Sequence, residues 1–366
     1  MINNKTIAVV VPAYNEESQV GMVIDTMPPF VDRIVIVNDG SIDSTADVVK
    51  KYISNVTFDN QVTLEKREYQ LDENIYNRAD IVLAEMRNNE EKYYPQNEIF
   101  NDNDSDRIVL INETNSGVGA AIATGYKWCR DHKVDCTAVM AGDGQMDPSE
   151  LESIVTPVIF EDVDYVKGNR LSHPTASIIV PSIRYFGNNV LSLLTKIASG
   201  YWNVSDTQTG YTAISFSALE KIQLFDIYPT YGCPNDILIK LNIANCSLKE
   251  VPIKPIYGVG EKSKMKIFKI VPKISKLLIC GFFKRLWKKY LVDSFHPLFI
   301  LYWTGILMGL INIPILIKLI IDVIIRNGSV TVGWYITFLL LTLFSFQSIS
   351  FGMWMDMQDN QRLERN

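Results

Sequence analysis

Two long stretches near the C-terminus contain no formally charged residue, and they restrict the fold more than any other feature. Leu298–Ile317 has twenty residues and Val330–Met355 has twenty-six. At about 1.5 Å per helical residue, twenty residues span roughly 30 Å, the thickness of a bilayer's hydrocarbon core. Two buried core helices are the alternative, but uncharged stretches this long are uncommon in soluble folds. The sequence therefore predicts a transmembrane hairpin within 295–356, with helices at about 297–321 and 330–355, and a short cytosolic tail at 357–366.

Charge is divided unevenly along the chain. The 35 Lys and Arg residues and 41 Asp and Glu residues give a net charge of −6. Residues 262–289 nevertheless contain ten Lys and Arg and no acid, mixed with Ile, Phe, Leu and Trp. This composition predicts basic amphipathic helices in the membrane interface over 259–294, and a nucleic-acid partner is the weaker interpretation. Because basic residues flank membrane helices on the cytosolic side, we expect an integral membrane protein with a cytosolic main domain.

Residues 1–258 are expected to form that main domain. Short runs rich in Val and Ile predict buried strands, and segments with helical spacing lie between them. The predicted strands are Ile7–Val11, Ile34–Val37, Ile108–Ile111, Thr137–Met140 and 164–167. The predicted helices are Glu17–Met27, Asp43–Tyr52, Gly117–Arg130, 148–158, 183–199 and Pro234–Ala244. This alternation predicts an α/β fold with a mostly parallel sheet and helices on both faces.

Residues 52–107 interrupt the alternation. They contain thirteen acidic and six basic residues, many Asn, and the run NDNDSD. We interpret them as an acidic surface insertion, helical near Asn77–Arg87, partly disordered elsewhere, and without a catalytic role.

Polar residues and glycines follow three of the predicted strands where each strand ends. The strands lead into PAYNEE (12–17), NDGS (38–41) and NSGVGAA (115–121). Open α/β sheets bind ligands at the carboxyl ends of their strands. The two glycines of NSGVGAA open a predicted helix, where backbone N–H groups could approach an anion. Each signal is weak alone, but their order along the chain predicts one ligand site.

A fourth strand end carries AGDGQMDP (141–148), whose two aspartates have different expected roles. Asp147 precedes Pro148 and stands three residues before Glu150, which is the pattern of a helix N-cap. Asp143 lies between two glycines and is not part of a helix-capping pattern. A carboxylate there suits a hard cation such as Mg²⁺ or Mn²⁺, and Gln145 can add an amide oxygen.

Taken in order, these motifs resemble a known family. VPAYNEE, NDGS, NSGVGAA and GDGQMDP are followed by KGNR (167–170), DTQTGY (206–211), GEKSK (260–264) and the uncharged stretches. They resemble the family 2 glycosyltransferases with the GT-A fold, in particular the branch that acts on polyprenyl phosphates and includes dolichyl-phosphate mannose synthase. The resemblance covers most of residues 5–355 outside the insertion. It implies an inverting transfer of one sugar from a UDP- or GDP-sugar to polyprenyl phosphate (dolichyl or undecaprenyl), with Mg²⁺ or Mn²⁺ as cofactor, and it leaves a homo-oligomer open.

The resemblance also implies roles for individual residues. Those implied to bind the nucleotide are Pro12, Ala13, Tyr14, Glu16, Asp39, Asn115, Gly117, Ala141 and Gly142. Those implied to be catalytic are Asp143, Arg170 and Asp206. Asp143 and Gln145 would bind the metal ion. Those implied to meet donor or acceptor phosphates are Lys167, Arg170, Arg184, Lys262 and Lys264.

The chain departs from the family pattern at two positions. Ala141 replaces the first acid of the common Asp-x-Asp motif, and Val118 stands where many relatives have Lys. Two alternatives therefore stay open: the same fold acting on another lipid or a glycan, and an inactive homologue that serves as a membrane scaffold. We also expect that removing residues 298–366 leaves a folded domain that binds nucleotide-sugar, since the nucleotide motifs all precede residue 150.

Overall fold

The computed structural model describes residues 1–55, 64, 66, 76–101, 107–180, 182–256, 267–325 and 331–365. The strands are β1 (Ile7–Ala13), β2 (Arg33–Asp39), β3 (Asn97–Phe100), β4 (Ile108–Glu113), β5 (Cys136–Val139), β6 (Tyr165–Asn169), β7 (Thr212–Ser215), β8 (Leu248–Pro252) and β9 (Glu364–Arg365). The helices are α1 (Val20–Asp25), α2 (Thr45–Asn55), α3 (Arg78–Glu90), α4 (Val118–Asp131), α5 (Leu151–Phe160), α6 (Ala176–Ile179), α7 (Ser182–Ser199), α8 (Phe216–Lys221), α9 (Cys233–Ile243), α10 (Ile267–Trp287), α11 (Pro297–Ile325) and α12 (Val332–Gln361).

Within the described ranges, nine strands form one sheet in the order β3-β4-β2-β1-β5-β7-β6-β8-β9. The neighbours β4, β2, β1 and β5 are parallel. β7 is antiparallel to both β5 and β6, and β3 is antiparallel to β4 at the edge. The predicted mostly parallel α/β sheet is therefore confirmed.

The sheet is buried on both faces, which explains its continuous apolar runs. Along β1, Ala8 and Val10 face one core with Tyr126 of α4, while Val9 faces the other core with Leu151 of α5. All five side chains are fully buried. Helices on both faces are the arrangement that the alternating sequence pattern predicts.

The predicted elements are present, with shifted ends. The expected helix Glu17–Met27 is reduced to α1, because Asn15 has φ 54° and residues 14–19 form a loop. The helix expected near Asn77–Arg87 is α3, and the insertion also supplies β3. The segments expected to be disordered in the insertion lie largely outside the described residues. Four short strands, β3 and β7 to β9, were not predicted.

α11 and α12 pack along each other as a hairpin. Ser345 Oγ donates to the Gly305 carbonyl at 2.7 Å, and Asn312 Nδ2 donates to Thr342 Oγ1 at 2.7 Å. Both helices are long and apolar enough to cross a membrane, and most of their large apolar side chains are exposed. The predicted hairpin helices are therefore present as candidate membrane spans. At their C-terminal ends they are longer than predicted, since α11 ends at Ile325 and α12 at Gln361.

The last residues do not form a separate tail, which corrects the prediction for 357–366. α12 continues to Gln361, and Leu363 is buried in the core beside β8. The backbone N–H of Leu248 donates to the Leu363 carbonyl at 2.7 Å, and β9 pairs with β8 in parallel. Since the chain end belongs to the sheet, the expectation that residues 298–366 are dispensable for the main domain is not supported.

A buried ion pair fastens α12 to the helices beside the sheet. Arg285 of α10 and Asp356 of α12 are both fully buried. The guanidinium donates to the two Asp356 carboxylate oxygens at 2.7 and 2.8 Å, and to the carbonyls of Ile197 and Ala198 at 3.1 and 3.0 Å. Lys289 lies beside this pair and donates to Asn360 Oδ1 at 2.7 Å.

Two of the ten basic residues of 262–289 are buried, so they do not contribute to the basic interfacial surface predicted for 259–294. These residues are Arg285 and Lys289, and each donates to a buried acceptor on α12. Lys284 is exposed but pairs with Asp226 at 3.1 Å. Lys273, Lys276 and Lys288 are exposed. The side chains of the remaining basic residues of this segment lie outside the described part of the chain.

α7 and α10 expose apolar side chains on their outer surfaces. On α7 these are Phe186, Val190, Leu193 and Leu194. On α10 these are Val271, Ile279 and Trp287. The inner faces of the two helices share one core cluster with α9. Adjacent helices with apolar outer faces indicate a contact surface, which we name the α7–α10 surface.

We predict that Asp356→Asn destabilises the protein by about 3–5 kcal/mol, since it leaves the buried Arg285 charge without its partner. Chemical unfolding in one detergent measures the change. Asp293→Asn, the same substitution at an exposed position after α10, is the control and should cost little. Equal unfolding midpoints for the two variants would contradict the importance of the pair.

Candidate active site

Four parallel strand ends meet at one edge of the sheet. β1 and β2 pair up to Ala13 and Asn38, and β2 and β4 pair up to Asp39 and Glu113. The Gly142 backbone N–H, after β5, donates to the Pro12 carbonyl at 3.3 Å. The four motifs that sequence reasoning grouped into one site are therefore adjacent in space.

The loops after β1 and β2 are bonded to each other. The backbone N–H of Asn15 donates to Ser41 Oγ and that of Glu16 to Thr45 Oγ1, both at 2.9 Å. Asn15 Oδ1 in turn accepts from the backbone N–H of Ile42. Tyr14 is exposed at this edge, and Pro12 and Glu16 are half-buried. The first loop is thus held by the second, and Tyr14 lies exposed at the sheet edge.

Asp39 is buried and joins the end of β2 to the start of α4. Its carboxylate accepts hydrogen bonds from the backbone N–H groups of Ser116 at 2.6 Å and Gly117 at 3.0 Å. Burial raises the pKa of Asp39 above its ordinary value, although these two N–H groups act in the opposite direction. An atom of a nucleotide that approached Asp39 would meet a carboxylate already held in place.

Two N–H groups at the N-terminus of α4 already have a partner within the protein, which weakens the expectation of an anion site there. The N–H groups of Gly119 and Ala120 donate to the Pro229 carbonyl at 2.8 and 3.3 Å. A Cβ atom at Gly119 would lie only 2.0 Å from the Tyr228 carbonyl oxygen. The glycines of NSGVGAA are therefore needed for the close approach of residues 228–229. Asn115 remains exposed beside them.

Glu113 is a buried carboxyl group that sequence reasoning did not single out. Its Oε2 accepts from Thr124 Oγ1 at 2.7 Å, while its buried Oε1 has no hydrogen-bond partner among the described residues. Burial raises the pKa of Glu113 to about 7, and the neighbouring Asp39 charge adds to the rise. The only sequence signal was an acid at the end of an apolar strand.

The two aspartates of GDGQMDP make different contacts, and Asp147 is the helix N-cap that the sequence predicts. Asp147 Oδ1 accepts from the backbone N–H of Ser149 at 2.9 Å, and Oδ2 accepts from Lys254 Nζ at 2.9 Å. The Ser149 hydroxyl and then Lys254 hold the pKa of Asp147 below its ordinary value. Asp143 is half-buried, and its Oδ1 accepts from the backbone N–H of Gln145 at 3.0 Å.

For a divalent cation, Asp143 and Gln145 offer one carboxylate and one amide oxygen. Among residues whose structure is described, no group of three or more His, Cys, Asp or Glu side chains could hold a metal ion. Mg²⁺ is usually bound through one or two carboxylates together with waters and substrate phosphates. The donor set therefore fits a cation that is completed by a diphosphate, while Ala141 adds no ligand.

Arg170 and Asp206, both predicted to be catalytic, form a two-pronged ion pair. Arg170 Nε donates to Asp206 Oδ2 at 2.8 Å, and Nη2 donates to Oδ1 at 3.1 Å. Burial opposes ionisation of Asp206, but the Arg170 guanidinium holds the pKa of this carboxyl below its ordinary value. Asp206 is fully buried, whereas about a quarter (23%) of the Arg170 side chain is exposed. Only Arg170 of this pair can therefore reach a substrate directly.

Glu250 of β8 holds the loop that carries Asp206. It accepts from the backbone N–H groups of Ser205 at 2.8 Å and Asp206 at 3.1 Å, and from Asn169 Nδ2 at 2.7 Å. The same loop reaches the loop of Asp143, because the Tyr211 hydroxyl donates to the Asp147 carbonyl at 3.0 Å. The loop that follows Asp206 is thus hydrogen-bonded to the segment that follows the candidate cation residues.

The remaining predicted phosphate contacts have different outcomes. Lys167 is fully buried and donates to the Thr209 carbonyl at 2.5 Å, and burial lowers its pKa to about 8. This position favours a structural role over phosphate binding. Arg184 lies in the first turn of α7, but its side chain is outside the described part, as are Lys262 and Lys264.

The chain is similar to known proteins in both sequence and structure. Residues 8–73 and 88–223 match the model of glycosyl transferase family 2. The chain is 30% identical over 255 residues to the UDP-N-acetylglucosamine–dolichyl-phosphate N-acetylglucosaminyltransferase of Methanococcus voltae, which covers 69% of this chain and 87% of that protein. It is 23% identical over 300 residues to a dolichyl-phosphate beta-glucosyltransferase of Trichomonas vaginalis, covering 77% and 75%. A similar solved structure is glucosyl-3-phosphoglycerate synthase from Mycobacterium tuberculosis, with 17% identity, a TM-score of 0.46 and coverage of 77% and 78%.

We predict that Asp143→Asn abolishes the gain in nucleotide-diphosphate affinity that Mn²⁺ provides, because it removes the charged ligand of the cation. Asp147→Asn is the matched control and should keep that gain, since Asn also caps helices. Calorimetric titration with UDP and GDP, with and without Mn²⁺, measures both. Equal losses in the two variants would contradict the separate roles of these aspartates.

We predict that Glu113→Gln stabilises the protein increasingly from about pH 5 to pH 7, by up to about 3 kcal/mol. Because burial raises the pKa of Glu113 in the folded state, its carboxyl ionises at lower pH in the unfolded chain than in the folded protein. The wild-type protein therefore loses stability as the pH rises toward the folded pKa near 7, whereas Gln does not ionise and avoids this loss. Thermal unfolding across this pH range measures the difference, with the exposed Glu98→Gln as control. A pH-independent difference would show that Glu113 is not held neutral by burial.

Proposed function

The chain belongs to glycosyl transferase family 2, and we propose that it transfers one sugar from a UDP- or GDP-sugar to a polyprenyl phosphate. The transfer inverts the anomeric carbon, and α11 and α12 anchor the enzyme in the membrane. The proposed acceptor agrees with the dolichyl phosphate in the names of the two relatives.

The position of the Arg170–Asp206 pair carries the proposal. On one side, its loop is bonded to the candidate cation loop through Tyr211 and Asp147. On the other side, α6 and α7 occupy the chain between Arg170 and Asp206, and α7 exposes an apolar outer face. Arg170 is thus connected along the chain to both the proposed diphosphate site and the α7–α10 surface, and we infer that its guanidinium lies between them.

The α7–α10 surface and the hairpin support the membrane location. Exposed apolar residues on α7 and α10 lie near exposed Lys273, Lys276 and Lys288, a combination typical of helices in the membrane interface. α10 leads through residues 288–296 into α11. Basic residues beside a membrane helix favour the cytosolic side, so the sheet domain is proposed to face the cytosol.

The donor half of the reaction requires stabilisation of a leaving diphosphate. A bound Mg²⁺ or Mn²⁺ would neutralise charge on the diphosphate as the sugar departs. Asp143 and Gln145 are the residues proposed to hold that ion. Tyr14, Glu16, Asp39 and Asn115 lie at the adjoining strand ends, where they would orient the nucleoside.

The acceptor half requires a positioned nucleophile and no strong protein base. The second pKa of a phosphate monoester is about 6, so its oxygen is already charged near neutral pH. Arg170 would hold the acceptor phosphate, while Asp206 fixes the guanidinium plane. Attack from the face opposite the diphosphate forms the new C–O bond, breaks the old one and inverts the anomeric carbon.

A panel of labelled UDP- and GDP-sugars tests the proposal with the purified full-length chain in vesicles containing polyprenyl phosphate. Label in a lipid that mild acid hydrolyses is the expected result. Label in an acid-stable lipid or glycan would favour the alternative acceptor, and no transfer from any donor would favour the scaffold role that Ala141 suggests.

We predict that Leu193→Glu lowers transfer to long-chain polyprenyl phosphate in vesicles about tenfold, the effect of losing roughly 1.4 kcal/mol of apolar burial. Nucleotide binding should not change, because α7 does not contribute to the donor loops. Phe160→Glu, an exposed Phe at the end of α5, is the control. Equal effects of the two changes would contradict a lipid-facing role for α7.

A further inference from the structure

The segment between α7 and Asp206 is held by the C-terminal part of the chain. α7 ends at Ser199, and seven residues later the chain reaches Asp206. At the end of α7, the Arg285 guanidinium donates to the Ile197 and Ala198 carbonyls. The same guanidinium also donates to the Asp356 carboxylate of α12. The end of α7 is therefore connected to α12 through one guanidinium.

The fit at Gly200 shows how close this contact is. Gly200 has φ +80°, and a Cβ atom there would lie 2.5 Å from Arg285 Nη1 and 3.0 Å from Asn360 Nδ2. Asn360 is fully buried and donates to the Asp356 carboxylate at 2.8 Å. The turn that leaves α7 thus packs against two side chains of the same buried network.

A second contact holds the middle of the segment. The backbone N–H of Asn203 donates to Glu364 Oε1 at 2.8 Å, and Asn203 Nδ2 donates to Glu364 Oε2 at 2.5 Å. Glu364 belongs to β9, which pairs with β8. β8 also carries Glu250, the residue that accepts from the backbone N–H groups of Ser205 and Asp206.

We propose that Arg285, Asp356, Asn203 and Glu364 are positioning residues that connect the last membrane helix to the Arg170–Asp206 pair. This inference rests on the proposed role of Arg170 at the acceptor phosphate. Asp206 is fully buried and accepts hydrogen bonds from both Nε and Nη2 of the Arg170 guanidinium. A displacement of residues 199–206 would turn that guanidinium away from the phosphate without disturbing the donor loops at β1, β2 and β5.

The test compares three variants of the full-length chain in vesicles. Glu364→Ala removes both acceptors of Asn203, Glu364→Gln keeps the shape and one acceptor, and Arg365→Gln changes an exposed neighbour on the same strand. For Glu364→Ala we expect kcat to fall about tenfold at unchanged KM for the nucleotide-sugar. Glu364→Gln should recover most of the loss, and Arg365→Gln should match the wild type.

Hydrogen–deuterium exchange of residues 199–208 gives a readout that does not depend on the reaction. Exchange should rise in Glu364→Ala and stay at the wild-type level in Arg365→Gln. An unchanged exchange rate and a kcat within twofold of the wild type in Glu364→Ala would overturn the positioning role. A wild type that transfers no sugar to polyprenyl phosphate would instead overturn the proposed function, while the exchange comparison would still test the positioning contacts.

Discussion

The buried pair of Arg285 and Asp356 determines how the two parts of the molecule are joined. A charge removed from water is costly unless its partners are close and its hydrogen bonds are complete. Here the guanidinium is bonded to a carboxylate on α12 and to two carbonyls at the end of α7. This network therefore fixes the position of the hairpin relative to the α7–α10 surface and the sheet. β9 adds a second connection, because it pairs with β8 of the sheet.

At the sheet edge, backbone groups are largely used by the protein itself. Asp39 accepts from the N–H groups of Ser116 and Gly117 just before α4, and the Pro229 carbonyl accepts from those of Gly119 and Ala120. Side chains at the strand ends include the exposed Tyr14 and Asn115 and the half-buried Asp143. We therefore propose donor recognition through these side chains and a diphosphate-bound cation rather than through an anion site at the helix terminus.

Sequence patterns predicted the structural features that depend on residues close together in the chain. The strands of the parallel core were evident from continuous Val and Ile runs, and the cap at Asp147 from its spacing to Pro148 and Glu150. The pattern failed for contacts between distant segments. Arg285 and Lys289 looked like lipid-facing cations, because nothing near them in sequence reveals Asp356 or Asn360. Glu364 looked like part of a tail for the same reason, and Glu113 gave no sign of its unpaired oxygen.

In the proposed reaction, a lipid phosphate attacks a nucleotide-sugar in a single displacement. The most direct measurement is the anomeric configuration of the sugar in the lipid product, read from proton and phosphorus NMR couplings. We predict a sugar bonded directly to the lipid phosphate with a configuration opposite to that of the donor. A retained configuration, or a sugar bonded to any group other than the phosphate, would contradict it.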